Sequence, residues 1–261
     1  MKKRLFAFGC SYTHYGYPTW ADIVSVNFDE YYNFGRAGCS NIYIMNTLVA
    51  AEDIIKFNAE TDTVIVMLTG FGRFSYLPRN SIWKTPGDLY NYNHNTKDPV
   101  TTEFYNNMWS DNWAVHDSWT AATVIKKLLT FNQVNYKILM GIDNEYYLKS
   151  STELDPVIRD RAAEIYDMLD HRQSLDKWKE ANSYYDSPYW EDRNSVDGHP
   201  STEVYLQYAK DFLPELVSDK SIELVNYWKE NFDHRGQSFM EHKFNELFRS
   251  HRDQAYIKKS F

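Results

Sequence analysis

Cysteine is scarce: the 261 residues hold only Cys10 and Cys39, too few for a disulfide framework, and a reducing compartment is the default expectation. Positive charge is short as well. Lys and Arg total 28 against 36 Asp and Glu, a net charge of −8. That deficit excludes a general nucleic-acid binder, whose affinity comes from neutralising phosphates. Apolar runs are short, and none approaches the roughly 20 residues needed to span a bilayer. The opening Leu5-Phe6-Ala7-Phe8 follows basic residues but is cut off at Gly9-Cys10-Ser11. It falls short of the ~7 apolar residues of a secretory signal, so a cytoplasmic location is expected, without membrane partners. Ten Gly and eight Pro exclude a collagen-like or low-complexity chain. Aromatic residues are plentiful at 17%, with 21 Tyr and 8 Trp.

The length suits a single α/β domain with insertions or a C-terminal extension. Arg4 to Phe8 reads as a buried strand halted by Gly9. Helical spacing follows from about Pro18, through Trp20, Ile23, Val24 and Phe28. Tyr31 to Phe34 reads as a second strand. Ser40 then offers a capping oxygen to a long helix reaching about Asn58, with Ile44, Leu48 and Ile55 on its apolar stripe. Thr63 to Leu68 is β-branched and apolar on both faces, as a central parallel strand requires. A helix from about Ser118 to Asn132 leads to a similar strand at Tyr136 to Ile142. Strands alternating with helices predict a three-layer α/β/α sandwich, doubly wound and flavodoxin-like, around a mostly parallel sheet of about five strands. The domain is expected over residues 1–216, with an irregular aromatic-rich insertion at 76–117. Residues 217–261 are expected as a helical extension of two polar helices broken near Gly236. That extension packs on the domain or makes a homo-oligomer.

In such a sheet, ligands bind beyond the carboxyl ends of the strands. Gly9-Cys10-Ser11-Tyr12-Thr13 follows the first strand, Asn33-Phe34-Gly35-Arg36-Ala37-Gly38 the second, and Gly70-Phe71-Gly72-Arg73 the third. Asp197-Gly198-His199-Pro200 precedes the last core helix. Together these segments hold a hydroxyl, an imidazole, a carboxylate and glycine-rich backbone, the set that acyl transfer uses.

The same segments, within residues 4 to 216, resemble the blocks of the SGNH (GDSL-type) hydrolases. Phe8-Gly9-Cys10-Ser11 resembles the first block, Asn33 to Gly38 the second and Asp197 to His199 the last. The resemblance implies an ester hydrolase working through an acyl-enzyme on a carbohydrate or small ester, with no metal or organic cofactor. Ser11 would be the nucleophile, His199 the base and Asp197 its orienting acid. Gly38 and Ser11 would give oxyanion N–H groups. Two positions depart from the pattern. Gly72 stands where the third block has Asn, so Arg73 or Asn41 is expected to substitute. Asp197 lies two residues before His199 rather than three, which keeps Asp192 and Asp186 open as the acid.

Other readings stand beside these. Cys10 could pair with His199 as a thiol nucleophile, although two buried thiols packing the loop bases is the simpler reading. His14 and His116 lack metal-ligand spacing. Trp83, Trp109, Trp113 and Trp119, with Tyr90, Tyr92 and Tyr105, read as a lid whose aromatics pack on the domain, or as a stacking surface for substrate. A binding or assembly protein that keeps the fold without turnover is the alternative function.

Overall fold

The computed structural model describes residues 1–79, 82–89, 98–149, 151–184 and 199–231. Strand β1 (Arg4–Phe8) leads through helix α1 (Trp20–Ser25) to β2 (Glu30–Asn33). Helix α2 (Asn41–Ile55) then leads to β3 (Asp62–Leu68). The short strands β4 (Arg73–Tyr76) and β5 (Lys84–Asp88) follow, then α3 (Pro99–Asn107), α4 (Asp111–Asn132) and β6 (Asn135–Met140). The chain continues through α5 (Glu145–Lys149), α6 (Pro156–Met168), α7 (Leu175–Ala181), α8 (Thr202–Phe212) and α9 (Asp219–Asn231).

Four strands pair in parallel in the order β2-β1-β3-β6. Where about five were expected, four lie in this sheet among the described residues. All seven residues of β3 are buried, as the stretch Thr63 to Leu68 foretold for six of them; the seventh, Asp62, is buried against Arg4. Phe6 stacks on Tyr32 at 4.7 Å and Phe8 on Phe34 at 4.8 Å, so aromatic pairs knit β1 to β2 and its following loop. From β1 the chain steps one way to β2, then crosses back to β3. With right-handed crossovers, that reversal sends α1 and α2 to opposite faces. The helices divide accordingly: α1 packs with α8 and α9, while α2 packs with α4, which packs with α6. The reversal also leaves a crevice at the carboxyl ends of β1 and β3.

Three expectations need correcting. The helix placed from about Pro18 begins at Trp20, because Thr19 is the capping residue and its N–H donates to Asp22 Oδ2 at 3.0 Å. The stretch 76–117 is more regular than expected: β4 and β5 form an antiparallel hairpin, and α3 and the first turns of α4 follow. Helix α4 starts at Asp111 rather than Ser118, with Ser110 Oγ accepting from Trp113 N–H at 3.1 Å. Its first two turns carry Asp111, Asn112, His116 and Asp117, so no apolar stripe advertises them.

At the carboxyl terminus of the described chain, α9 packs on α1 and α8 through buried Leu224, Val225 and Trp228. The second polar helix expected after Gly236 lies outside the described residues. No described helix is long and apolar enough to cross a membrane.

Candidate active site

The loop after β1 closes as a single tight turn. Thr13 and His14 N–H both donate to Cys10 O, at 3.0 and 3.2 Å. Gly9 is obligatory there, since a Cβ would sit 2.1 Å from Thr13 Oγ1. Ser11 rides on this turn and is 5% exposed. Neither its hydroxyl nor its N–H has a hydrogen-bond partner among the described residues. Leading groups of a helical turn are left unpaired in this way because they have no preceding carbonyl to bond.

The loop after β2 is stitched to the first. Gly9 O accepts from Arg36 N–H at 2.9 Å and from Cys39 Sγ at 3.3 Å. Gly38 adopts a φ of +71°, which glycine reaches at little cost. Its N–H also has no acceptor among the described residues. The β4–β5 hairpin presses on this loop: Thr85 Oγ1 donates to Ala37 O at 2.9 Å, and Arg36 Nη2 to Trp83 O at 2.7 Å. Ser75 Oγ accepts from Ser40 N–H at 2.9 Å, while Ser40 Oγ caps α2 through Tyr43 N–H.

Two buried asparagines hold the loop after β3. Asn41 Oδ1 accepts from Thr69 N–H at 2.8 Å, and its amide donates to Thr69 O and Ser118 Oγ at 3.2 and 3.1 Å. Both of its donors are therefore spent on clamping α2 and α4 to the end of β3. Asn144, beyond β6, accepts from Phe71 N–H at 2.8 Å and donates to Ile142 O at 2.9 Å. Arg73 opens β4 and is half-buried. Its positive charge bears on both Tyr12 and Cys39.

His199 docks on the Ser11 loop. Its ring stacks on Tyr15 at 4.0 Å and meets the Tyr12 ring edge-on at 5.2 Å. Tyr17 OH donates to Pro200 O at 3.1 Å and pins the same junction. Ser201 then caps α8 by accepting from Val204 N–H. The structure thus gathers Ser11, Gly38, Arg73 and His199 at one edge of the sheet, with Asn41 beneath them as a clamp. Asp197, and with it Asp192 and Asp186, lies outside the described residues.

Both cysteines are fully buried free thiols. Burial pushes the Cys39 thiol well above its usual range. Beyond Ser11, Tyr12 OH donates to Asp176 Oδ1 at 2.9 Å, and Asp176 Oδ2 accepts from Asp143 N–H at 3.3 Å. Burial raises the Asp176 carboxyl, and desolvation with that carboxylate beside it raises Tyr12. Sequence reasoning missed Tyr15, Asp176 and Asn144, because their partners are set only by tertiary folding. No cluster of three His, Cys, Asp or Glu that could hold a metal ion occurs among the described residues.

No protein-family model matches the chain, and no curated protein is significantly similar to it. Among solved structures it is similar to a member of the lipolytic G-D-S-L family from Veillonella parvula DSM 2008. That match has 14% identity and a TM-score of 0.40, and covers 85% of this chain and 97% of the other. It is also similar to LAE5, an alpha/beta hydrolase enzyme from the metagenome of Lake Arreo, Spain, at 12% identity and a TM-score of 0.39, covering 82% and 94%. Likeness this low carries no inference about chemistry, which rests on the residues themselves.

Proposed function

We propose that the protein is a serine hydrolase that cleaves esters through an acyl-enzyme, its substrate a carbohydrate ester or another small ester. Ser11 Oγ attacks the carbonyl carbon while His199 takes its proton. The oxygen that becomes negative is held by the N–H groups of Ser11 and Gly38. His199 returns the proton to the departing alcohol, and water then attacks the acyl-enzyme by the same route in reverse. The observation that carries this reading is that the N–H groups of Ser11 and Gly38 have no acceptor among the described residues, on two loops tied together through Gly9 O, one of which bears the unbonded Ser11 hydroxyl. Preorganised donors of this kind are the largest single contribution in acyl transfer.

Arg73 supports the same chemistry. Its charge beside the loops favours the anionic intermediate, which suits a chain with Gly72 at the position where a third donor is expected. Full burial of Cys10 favours Ser11 over a thiol nucleophile. The carboxylate that orients His199 comes from Asp197, Asp192 or Asp186.

Hydrolysis of p-nitrophenyl acetate tests the assignment. Ser11→Ala is expected to reduce the rate by about 10⁴-fold or more and to abolish fluorophosphonate labelling. Turnover that survives the substitution removes the serine mechanism. An intact, folded wild type that neither turns over nor labels favours the alternative, a binding or assembly protein on this fold, for which the committed Asn41 amide and Gly72 speak.

A further inference from the structure

The hydrolase reading leaves a cavity without a role. About 200 Å³ lies open between the N-terminus of α2, the start of β4, α3 and α4. Its lining includes Phe71, from the loop that follows β3, and Arg73, the first residue of β4. It also includes Trp113 and Asp117, which sit four residues apart on α4 and so share a face. Part of the lining is an aromatic wall. Phe74 stacks on Phe104 at 4.1 Å, and Trp113 meets Phe104 edge-on at 4.8 Å.

Asp117 is the unexplained member. No hydrogen bond or ion pair satisfies its carboxyl group among the described residues. Burial holds that carboxyl above the usual carboxylate range, opposed only by the charge of His116. His116 itself is exposed and engaged with Arg161 Nη1 at 2.6 Å. A partly desolvated carboxylate without a partner costs stability. The chain keeps it next to three rings whose faces carry negative charge density.

Size and sign together restrict the occupant. At roughly 30 Å³ per water, the cavity would hold about six or seven waters, the bulk of one small organic group. An anion is repelled by Asp117, and a plain hydrocarbon would desolvate that carboxylate further without compensating it. Arg73 lines the same cavity, but His116 is the charge that bears on Asp117, so beside Asp117 a cation gains an ion pair and the attraction of the ring faces. The net charge of −8 draws cations toward the protein as well.

We infer that this cavity is a subsite for an alkylammonium group borne by the alcohol portion of the ester, with Asp117, Phe104 and Trp113 as its specificity determinants. The inference rests on the hydrolase reading for the ester, and on the cavity alone for the cation. The ester carbonyl lies toward Arg73, where negative charge develops, and the ammonium toward Asp117.

Two measurements on the full chain test it. Calorimetric titration with tetramethylammonium is expected to give saturable binding to the wild type, weakened about tenfold or more in Asp117→Asn. Absence of binding, or equal binding to both proteins, overturns the subsite; preference for methyl glucoside over tetramethylammonium overturns it in favour of a hydroxylated ring. The second measurement compares kcat/KM for the acetyl ester of choline, 2-(trimethylammonio)ethyl acetate, with that for its neutral isostere, 3,3-dimethylbutyl acetate. The wild type is expected to prefer the cation about tenfold or more, and Asp117→Asn to bring the ratio near one. Equal rates on the wild type overturn the subsite. Failure to cleave either ester, with Asp117-dependent ammonium binding intact, overturns the hydrolase reading and leaves the subsite standing.

Discussion

At the scale of single residues, Gly38 and Asp117 give the sharpest tests. A Cβ at Gly38 would lie 2.5 Å from Thr85 O, on a backbone already at φ +71°. Gly38→Ala is therefore expected to cost about 1–3 kcal/mol in urea unfolding. On the proposed mechanism, displacing its N–H from the oxyanion should also lower kcat by about 10²-fold. Asp117 acts in the opposite direction on stability. Its carboxyl is raised in the folded protein, so below the unfolded value of 3.8 both states are protonated and there is no penalty. As pH rises through the folded value, the native state resists ionisation and loses stability relative to the unfolded chain. Asp117→Asn should thus match the wild type in Tm at the acid end and exceed it near neutrality; a lower Tm at pH 7 would contradict the account. The placement of Ser11, Gly38 and His199 was legible in sequence because each sits just past a strand or just before a helix. Tyr12 and Asp176 were not, since the hydroxyl of one meets the carboxylate of the other across most of the chain. Asn41 looked available for the opposite reason. Its place at the first turn of α2 is readable, but its bonds to Thr69 and Ser118 are not.

Among the elements, the β4–β5 hairpin escaped the sequence reading for a physical reason. Strand β5 reads Lys84-Thr85-Pro86-Gly87-Asp88, which has no alternation and contains both residues that weaken strands. What holds it is contact with its neighbours, through Thr85 to Ala37 and Arg36 to Trp83. The hairpin is thus a brace for the loop that carries Gly38. Ser75→Ala isolates one strut: Ser40 N–H would remain buried without its acceptor, at a cost of about 1–3 kcal/mol by chemical denaturation. Helix α2, by contrast, was legible at its start. Ser40 announced the cap, and in the structure its Oγ accepts from Tyr43 N–H.

Over the whole molecule, the two ends of the sheet do different work. At the amino ends of β1 and β3, Arg4 makes a two-pronged pair with Asp62 at 2.7 and 2.6 Å, and the Asp62 side chain is fully buried. Asp62→Asn removes the counter-charge of the Arg4 guanidinium, which keeps its bond to Lys56 O, and should cost about 3–5 kcal/mol. Because the site loops lie at the other end, kcat/KM of the folded variant should be unchanged; a parallel loss of activity would show that the ends are coupled. The alternation of strands and helices was enough to read the layers and the edge where the glycine-bearing loops meet. The number of strands and the insertion's internal order depend on pairings that no local pattern encodes. The carbonyl of Gly9 receives a bond from Arg36 and another from Cys39, so a single oxygen spans the loops bearing Ser11 and Gly38. The aperture between those two loops is therefore ruled into the main chain before any guest arrives. A molecule entering it meets a gauge instead of moulding a pocket, and choice among guests falls to whatever lies outside that gauge.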